Sequence, residues 1–341
     1  MVLTLSTLGQ SNYIRGQFVT LEGEIQKLEN QVGTGENTQV FGDLGNQASL
    51  DISLRQQADM LDNFKQNISQ IQVRTSMLDQ TLSIIHDTAL SVQNEAFQQP
   101  SFPPQRQNLV SAAQAAIDQI TQRLQTSING RNLYGGTQTQ GNPMINQATV
   151  LANVQTAITT ALAGAPPSNP PAVQAAVAGV FTGPAAYYTG GPPYPPAQVD
   201  VGLSVNDSIT AADPAFQSIL QGLYTIAALP QPVGATAVPP NLSDSDFDTI
   251  VQQAASQISG GLSQLSTLTE KNGQNEKFLS DETDQHDATL TTLQMTINNI
   301  ESVNVADATT RLTQLQAQLQ ASFHIVADLS NLNLLSILPV P

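Results

Sequence analysis

The sequence predicts a mainly α-helical chain: a long antiparallel helical bundle or coiled coil formed by the N- and C-terminal regions, with a small, Pro-rich, β- and loop-rich inserted domain. Three observations carry this. Apolar residues recur at alternating spacings of four and three near both ends, and a longer run of the same kind fills residues 50–92. Between these runs, the stretch from about 141 to 240 holds fifteen of the twenty prolines and only three charged residues, Asp200, Asp207 and Asp213. A 3.5-residue apolar period marks helices that bury a seam against other helices.

The first stripe is Ile14, Phe18, Leu21, Ile25, Leu28 and Val32. The longest runs through Leu50, Leu54, Gln57, Leu61, Phe64, Ile68, Ile71, Thr75, Leu78, Leu82, Ile85, Ala89 and Val92, with no Gly or Pro inside it. A helix over 50–92 extends about 65 Å at ~1.5 Å per residue and needs partner helices along its length. Pro100, Pro103 and Pro104 end it, since proline lacks the amide proton and clashes with the preceding turn. A second helix over 105–128 carries Leu109, Ala113, Ile117, Ile120, Leu124 and Ile128, and Asn129-Gly130 reads as its C-cap.

The Pro-rich stretch holds six of the sixteen aromatic residues, so it reads as an ordered module with short strands and a helix near 146–163. Helical signal resumes after Leu242-Ser243-Asp244, an N-cap sequence. Ile250, Ala254, Ile258, Leu262, Leu265 and Leu268 line one face, which Gly260-Gly261 and Gly273 are expected to loosen. Leu290, Leu293, Ile297 and Ile300 continue it. A last helix over 305–335 carries Leu312, Leu315, Leu319, Val326 and Leu329, and the sequence closes on Leu334, Leu335 and Leu338. Apolar residues at a chain end point to burial against another subunit, because ends otherwise fray in water.

The expected organisation is a core helix over 1–45 that pairs with the C-terminus, a rod half over 46–140, an outward-facing Pro-rich insert over 141–242, the other rod half over 243–303 and a closing core helix over 304–341. The fourteen stripe residues Ile14 to Val32 and Leu312 to Leu338 form the candidate assembly interface.

Composition narrows function. Eleven Lys and Arg against 27 Asp and Glu give a net charge of −16, which argues against nucleic acid and against an anionic membrane surface. There is no cysteine, hence no disulfide, thiolate nucleophile or Cys-based zinc site. No apolar run reaches the ~18 residues of a membrane span, and Met1 to Gln10 lacks the basic start of a cleaved signal. Asp281, Asp284, His286 and Asp287 superficially resemble a metal cluster but read better as a solvated acidic face. Asp244, Asp246 and Asp248 read as helix N-terminal carboxylates rather than a calcium loop. The three histidines are scattered, and no catalytic or phosphate-binding motif occurs, so neither an enzyme nor a cofactor is expected.

Three segments resemble one family. Leu28 to Gly35 is similar to the motif that ends the first terminal helix of the flagellin superfamily. Asn129-Gly130-Arg131-Asn132-Leu133-Tyr134-Gly135-Gly136-Thr137 resembles that family's step into its central insert. Ala308 to Leu312, Gln318 to Ser322 and Leu332 to Leu335 resemble the closing helix of its hook-associated members at the hook–filament junction. The basic-then-acidic stretch of filament flagellin is not matched by Gly35 to Asp43, which favours a junction protein and leaves filament flagellin as the alternative, with an unrelated secreted coiled-coil adaptor as the third reading. The resemblance implies a structural subunit of the bacterial flagellum and no catalysis. It also implies export through the flagellar type III apparatus without a cleaved signal. Its implied partners are further copies of itself in a ring or tube, a second hook-associated protein, flagellin and an export chaperone.

Overall fold

A computed structural model describes residues 7–37, 45, 47–98, 103–163, 169–230 and 242–335. The chain is mainly α, with two small antiparallel hairpins among the described residues. Its elements in order are α1 (Thr7–Thr34), α2 (Ala48–Phe97), α3 (Pro103–Leu124), β1 (Ser127–Ile128), β2 (Arg131–Asn132), α4 (Gln147–Leu162) and α5 (Pro170–Val180). There follow β3 (Ala197–Asp200), β4 (Leu203–Val205), α6 (Pro214–Ala228), α7 (Asp244–Glu301) and α8 (Val305–Leu335). The chain divides into two compact units, residues 1–62 with 287–341 and residues 63–286.

In the larger unit the long stripe is the buried face of α2. Ile68, Ile71, Thr75, Leu78, Leu82, Ile85, Ala89 and Val92 are all buried. They meet α7 running the other way: Asn272 Nδ2 donates to the Thr75 carbonyl at 2.9 Å, and Phe64 stacks near His286. Neither Gly260-Gly261 nor Gly273 breaks α7, which is continuous to Glu301. The reason for Gly261 is packing. A Cβ there would lie 2.7 Å from Ile219 Cγ1 and 2.9 Å from the Ile219 amide nitrogen, so the glycine lets α6 approach. Gly222 of α6 does the reverse against Ile258, where a Cβ would lie 2.5 Å from Cγ1.

The Pro-rich segment does not keep its apolar residues to itself. Its short β3–β4 hairpin and its helix over 147–162 follow the sequence pattern, but α5 and α6 are additional. Phe216, Ile219, Leu220 and Leu223 of α6 join Leu109, Ala113, Ile117 and Ile120 of α3 in one core with α2 and α7. The aromatics gather there too: Tyr134 meets Phe216 edge-on at 5.5 Å, and Phe181 touches both Tyr187 and Tyr224. Proline at the start of α5 and α6 supports these helices, because the first helical position needs no amide proton.

Asn129-Gly130 is not a helix cap. α3 stops at Leu124, and the pair forms the two-residue turn of the β1–β2 hairpin, with φ of 51° and 76°. Two consecutive positive φ values are what such a turn demands, and Asn-Gly is its preferred sequence. The start of α7 follows expectation: Ser243 Oγ accepts from the Asp246 amide at 3.1 Å. Asp244 and Asp248 pair with Arg106, whose guanidinium lies over Phe247.

Candidate assembly face

The smaller unit is built on α1 and α8, which pack antiparallel along the two apolar stripes. On α1, Ile25 is buried and Ile14, Phe18, Leu21, Leu28 and Val32 are half-buried. On α8, Leu312, Leu315, Leu319 and Val326 are half-buried above the fully buried Ala308. Of these ten stripe residues, Ile14, Phe18, Leu21 and Val326 line one groove between α1 and α8. Leu329, Leu334 and Leu335 belong to the last turns of α8, and their side chains lie outside the described residues, as does Leu338.

Partial burial follows from geometry. Two helices cover only the inner edge of each a or d side chain, and a third or fourth helix is needed to close the layer. What remains open is a groove of about 860 Å³ lined by Tyr13, Ile14, Phe18, Leu21, Ile325 and Val326, among others. Tyr13, Val19 and Ile325 are 68%, 65% and 60% exposed. They fall one place off the stripe, so period counting passes over them; the signal that could have found them is an apolar neighbour beside a stripe residue, as in Tyr13-Ile14 and Ile325-Val326.

The base of this unit is held by polar contacts. Past α1, Gly35 takes a φ of 77° and turns the chain back on the α7–α8 junction. The Asn37 amide donates to the Glu301 carbonyl at 2.5 Å, and the Val303 amide donates to the Gly35 carbonyl at 3.0 Å. Gln31 Nε2 donates to the Asn37 carbonyl at 2.6 Å. Arg55 binds Glu301 and reaches Asp51 at 3.1 Å, and these two carboxylates hold its guanidinium pKa above the usual value. Asn304 caps α8, its Oδ1 accepting from the Ala306 and Asp307 amides at 3.2 and 3.3 Å. The arrangement fixes where α1 and α8 leave the junction.

The other titratable clusters divide. Asp281, Asp284 and Asp287 are exposed, in line with a solvated face, whereas His286 is buried against the β3–β4 hairpin. Asp244 and Asp248 serve Arg106. Burial raises the phenol pKa of Tyr134, Tyr187 and Tyr224, and raises that of Tyr188 to about 12.

No protein-family profile matches the sequence, and no curated protein matches it either. Among solved structures, the chain is similar to a provisionally assigned flagellar hook-associated protein from Vibrio parahaemolyticus. The TM-score is 0.55 at 11% identity, covering 76% of this chain and 100% of that one. At that identity the likeness is one of fold. FlgL of Bacillus cereus aligns over 80% of this chain and 99% of its own at 12% identity, with a TM-score of 0.36, too loose a likeness to argue from.

Proposed function

We propose that this chain is a structural subunit of the bacterial flagellum that self-assembles at the junction between hook and filament. The observation that carries the reading is the α1–α8 pair. Helices at opposite ends of the described sequence pack along a heptad seam that two helices alone leave half-covered. Exposed Tyr13, Val19 and Ile325 border that seam. Such a pair gains burial by packing against equivalent pairs, which is how a helical subunit adds to a ring or tube. Support also comes from the fold shared with a protein described as flagellar and hook-associated, and from the order of the three sequence motifs.

On this reading the stripe residues of α1 and α8 are the assembly interface, and the role is structural rather than catalytic. Neighbours in the assembly are further copies, a second hook-associated protein and flagellin. The subunit travels through the flagellar export apparatus, without a cleaved signal and with an export chaperone, and resides outside the cell in the flagellum. Electron microscopy of flagella from a deletion strain tests it. Hooks without filaments, with flagellin shed into the medium, are the expected result. Short or absent filaments without shedding would instead indicate a filament subunit, and normal flagella would overturn the flagellar reading.

A further inference from the structure

In the larger unit, three side chains from two elements converge at the end of the β3–β4 hairpin. Asp200 closes β3, and Glu282 and His286 stand four residues apart on one face of α7. One ligating atom from each lies within 4.8 Å of the other two. The His286 side chain is 2% exposed and that of Glu282 is 8% exposed. Glu282 Oε1 lies 3.7 Å from His286 Nε2 and has no hydrogen-bond partner. The Val199 carbonyl lies 3.0 Å from the same imidazole nitrogen. Asp200 Oδ1 accepts from the Val201 amide at 2.7 Å, which fixes that carboxylate at the hairpin turn.

A buried carboxylate oxygen without a donor is costly, because it has given up water and gained nothing. Here that oxygen faces a second carboxylate and an imidazole. We propose that Asp200, Glu282 and His286, with the Val199 carbonyl as a fourth donor, bind one divalent first-row cation of the Zn²⁺ or Mn²⁺ type.

The chemistry of the donors sets the class. One imidazole with carboxylate and carbonyl oxygens is a mixed N/O set, which suits borderline ions and lacks the thiolates of soft-metal sites. Two carboxylates balance a +2 charge. Donors about 2.0–2.1 Å from a common zinc stand roughly 3–3.6 Å apart at angles from 90° to 120°. The separations of 3.0 and 3.7 Å are close to that, and the Asp200 carboxylate, within 4.8 Å of the other two, joins the set by rotating its side chain toward them. With Nε2 turned to the ion, the ring proton sits on Nδ1. Ile68, Ile71, Val199, Val205 and Leu279 form an apolar shell beside it, and Phe64 stacks on the imidazole at 6.1 Å. Half-buried Asp200, next to exposed Val201, leaves a way in for the ion. The bound ion ties the hairpin to α7 across more than eighty residues of sequence, and binding to the folded state alone raises its stability.

The test uses the full chain without a histidine tag, titrated with Co²⁺ in excess Mg²⁺ to saturate the acidic surface. The visible cobalt spectrum and thermal unfolding are the readouts. One Co²⁺ per chain is expected, displaced by Zn²⁺, with a higher melting temperature. Glu282→Gln and Asp200→Asn should each weaken binding by more than the ~10–100-fold typical of residues that only support a ligand. Asp281→Asn and Asp284→Asn, exposed on the same helix, should leave it unchanged. Absence of a saturable cobalt spectrum overturns the proposal, as does equal binding by the Asp200→Asn variant. If Glu282→Gln does not fold, Asp200→Asn decides, because that residue is half-buried at a hairpin end.

Discussion

Phe18 of α1 and Phe323 of α8 lie face to face, with ring centroids 4.8 Å apart and planes 13° from parallel. Phe18 belongs to the seam, whereas Phe323 lies off the stripe and is 52% exposed, so half of the stack faces outward. An aromatic pair of this kind contributes about 0.5–1.5 kcal/mol beyond its buried area. Phe323→Asp is expected to weaken the α1–α8 pair by more than that, since the buried half of the ring is lost with the stack. Leu319→Asp places a charge inside the seam and costs several kcal/mol more. Both should leave the larger unit folded, since among the described residues none of α8 belongs to its core. On the proposed flagellar role, both are expected in the culture medium and missing from flagella, as read by blotting purified flagella against medium. Normal incorporation of the two variants would remove the assembly role given to this face.

Gly260 and Gly261 are adjacent in α7 and have opposite surroundings. A Cβ at Gly260 meets nothing within 4 Å, while one at Gly261 meets the backbone of α6, at 2.9 Å from Ile219 N and 3.0 Å from Ala215 O. Backbone cannot step aside as a side chain can. Gly260→Ala should therefore stabilise by about 0.5–1 kcal/mol through helix propensity. Gly261→Ala should destabilise by about 1–3 kcal/mol through overpacking. Urea midpoints of the two variants check this, and equal shifts would show that α6 and α7 are not held at this distance.

The helices were legible because burial and period coincide. Every stripe position from Ile68 to Val92 is buried, and the bounds of α8 match the helix expected over 305–335. What escaped was set by long-range packing. The prolines of 141–240 suggested loops, yet Pro170 and Pro214 sit at helix starts, where the same residue assists rather than breaks. Asn129-Gly130 fits both a helix end and a hairpin, and only the pairing of Ile128 with Arg131 decides between them. At the candidate face, period counting marks the stripe residues of α1 and α8 and passes over exposed Tyr13 and Ile325, because they flank the stripe. His286 looked like part of an acidic surface, since nothing local in sequence reveals that the β3–β4 hairpin covers it.

Buried tyrosines predict loss of stability at high pH. Burial raises the phenol pKa of Tyr134, Tyr187 and Tyr224 above the ordinary ~10, and puts that of Tyr188 near 12. Above pH ~10 the unfolded chain has released these protons and the folded chain still holds them, so stability falls as pH rises. The contribution is complete below pH ~10 and declines from there upward. Tyr187 is the discriminating case, because its buried hydroxyl has no hydrogen-bond partner. Tyr187→Phe should be near neutral at pH 7 and should flatten the alkaline decline. Tyr134→Phe removes a bond to Thr81 and should cost about 1 kcal/mol at pH 7. Urea midpoints from pH 7 to 11 measure both, and an alkaline slope unchanged in Tyr187→Phe would refute the assignment.

The Pro-rich segment should prove inseparable from the helices that flank it in sequence. Phe216, Ile219, Leu220 and Leu223 of α6 are fully buried, and the residues they share a core with include Leu109, Ala113, Ile117 and Ile120 of α3. Removing residues 147–228 would expose that face of α3 and the Ile258 side of α7 to water. Exposing a Leu or Ile side chain costs about 1.5–3 kcal/mol, so a handful of them matches the ~5–15 kcal/mol that stabilises a typical domain. The deletion is expected to lose far more helical circular dichroism than the excised helices account for. It should also bind a hydrophobic dye. The point version is Phe216→Ala, with an expected cost of about 3–5 kcal/mol from the cavity it leaves. A deletion variant that retains cooperative unfolding, with only the excised helix signal missing, would mean that α2, α3 and α7 form a core of their own.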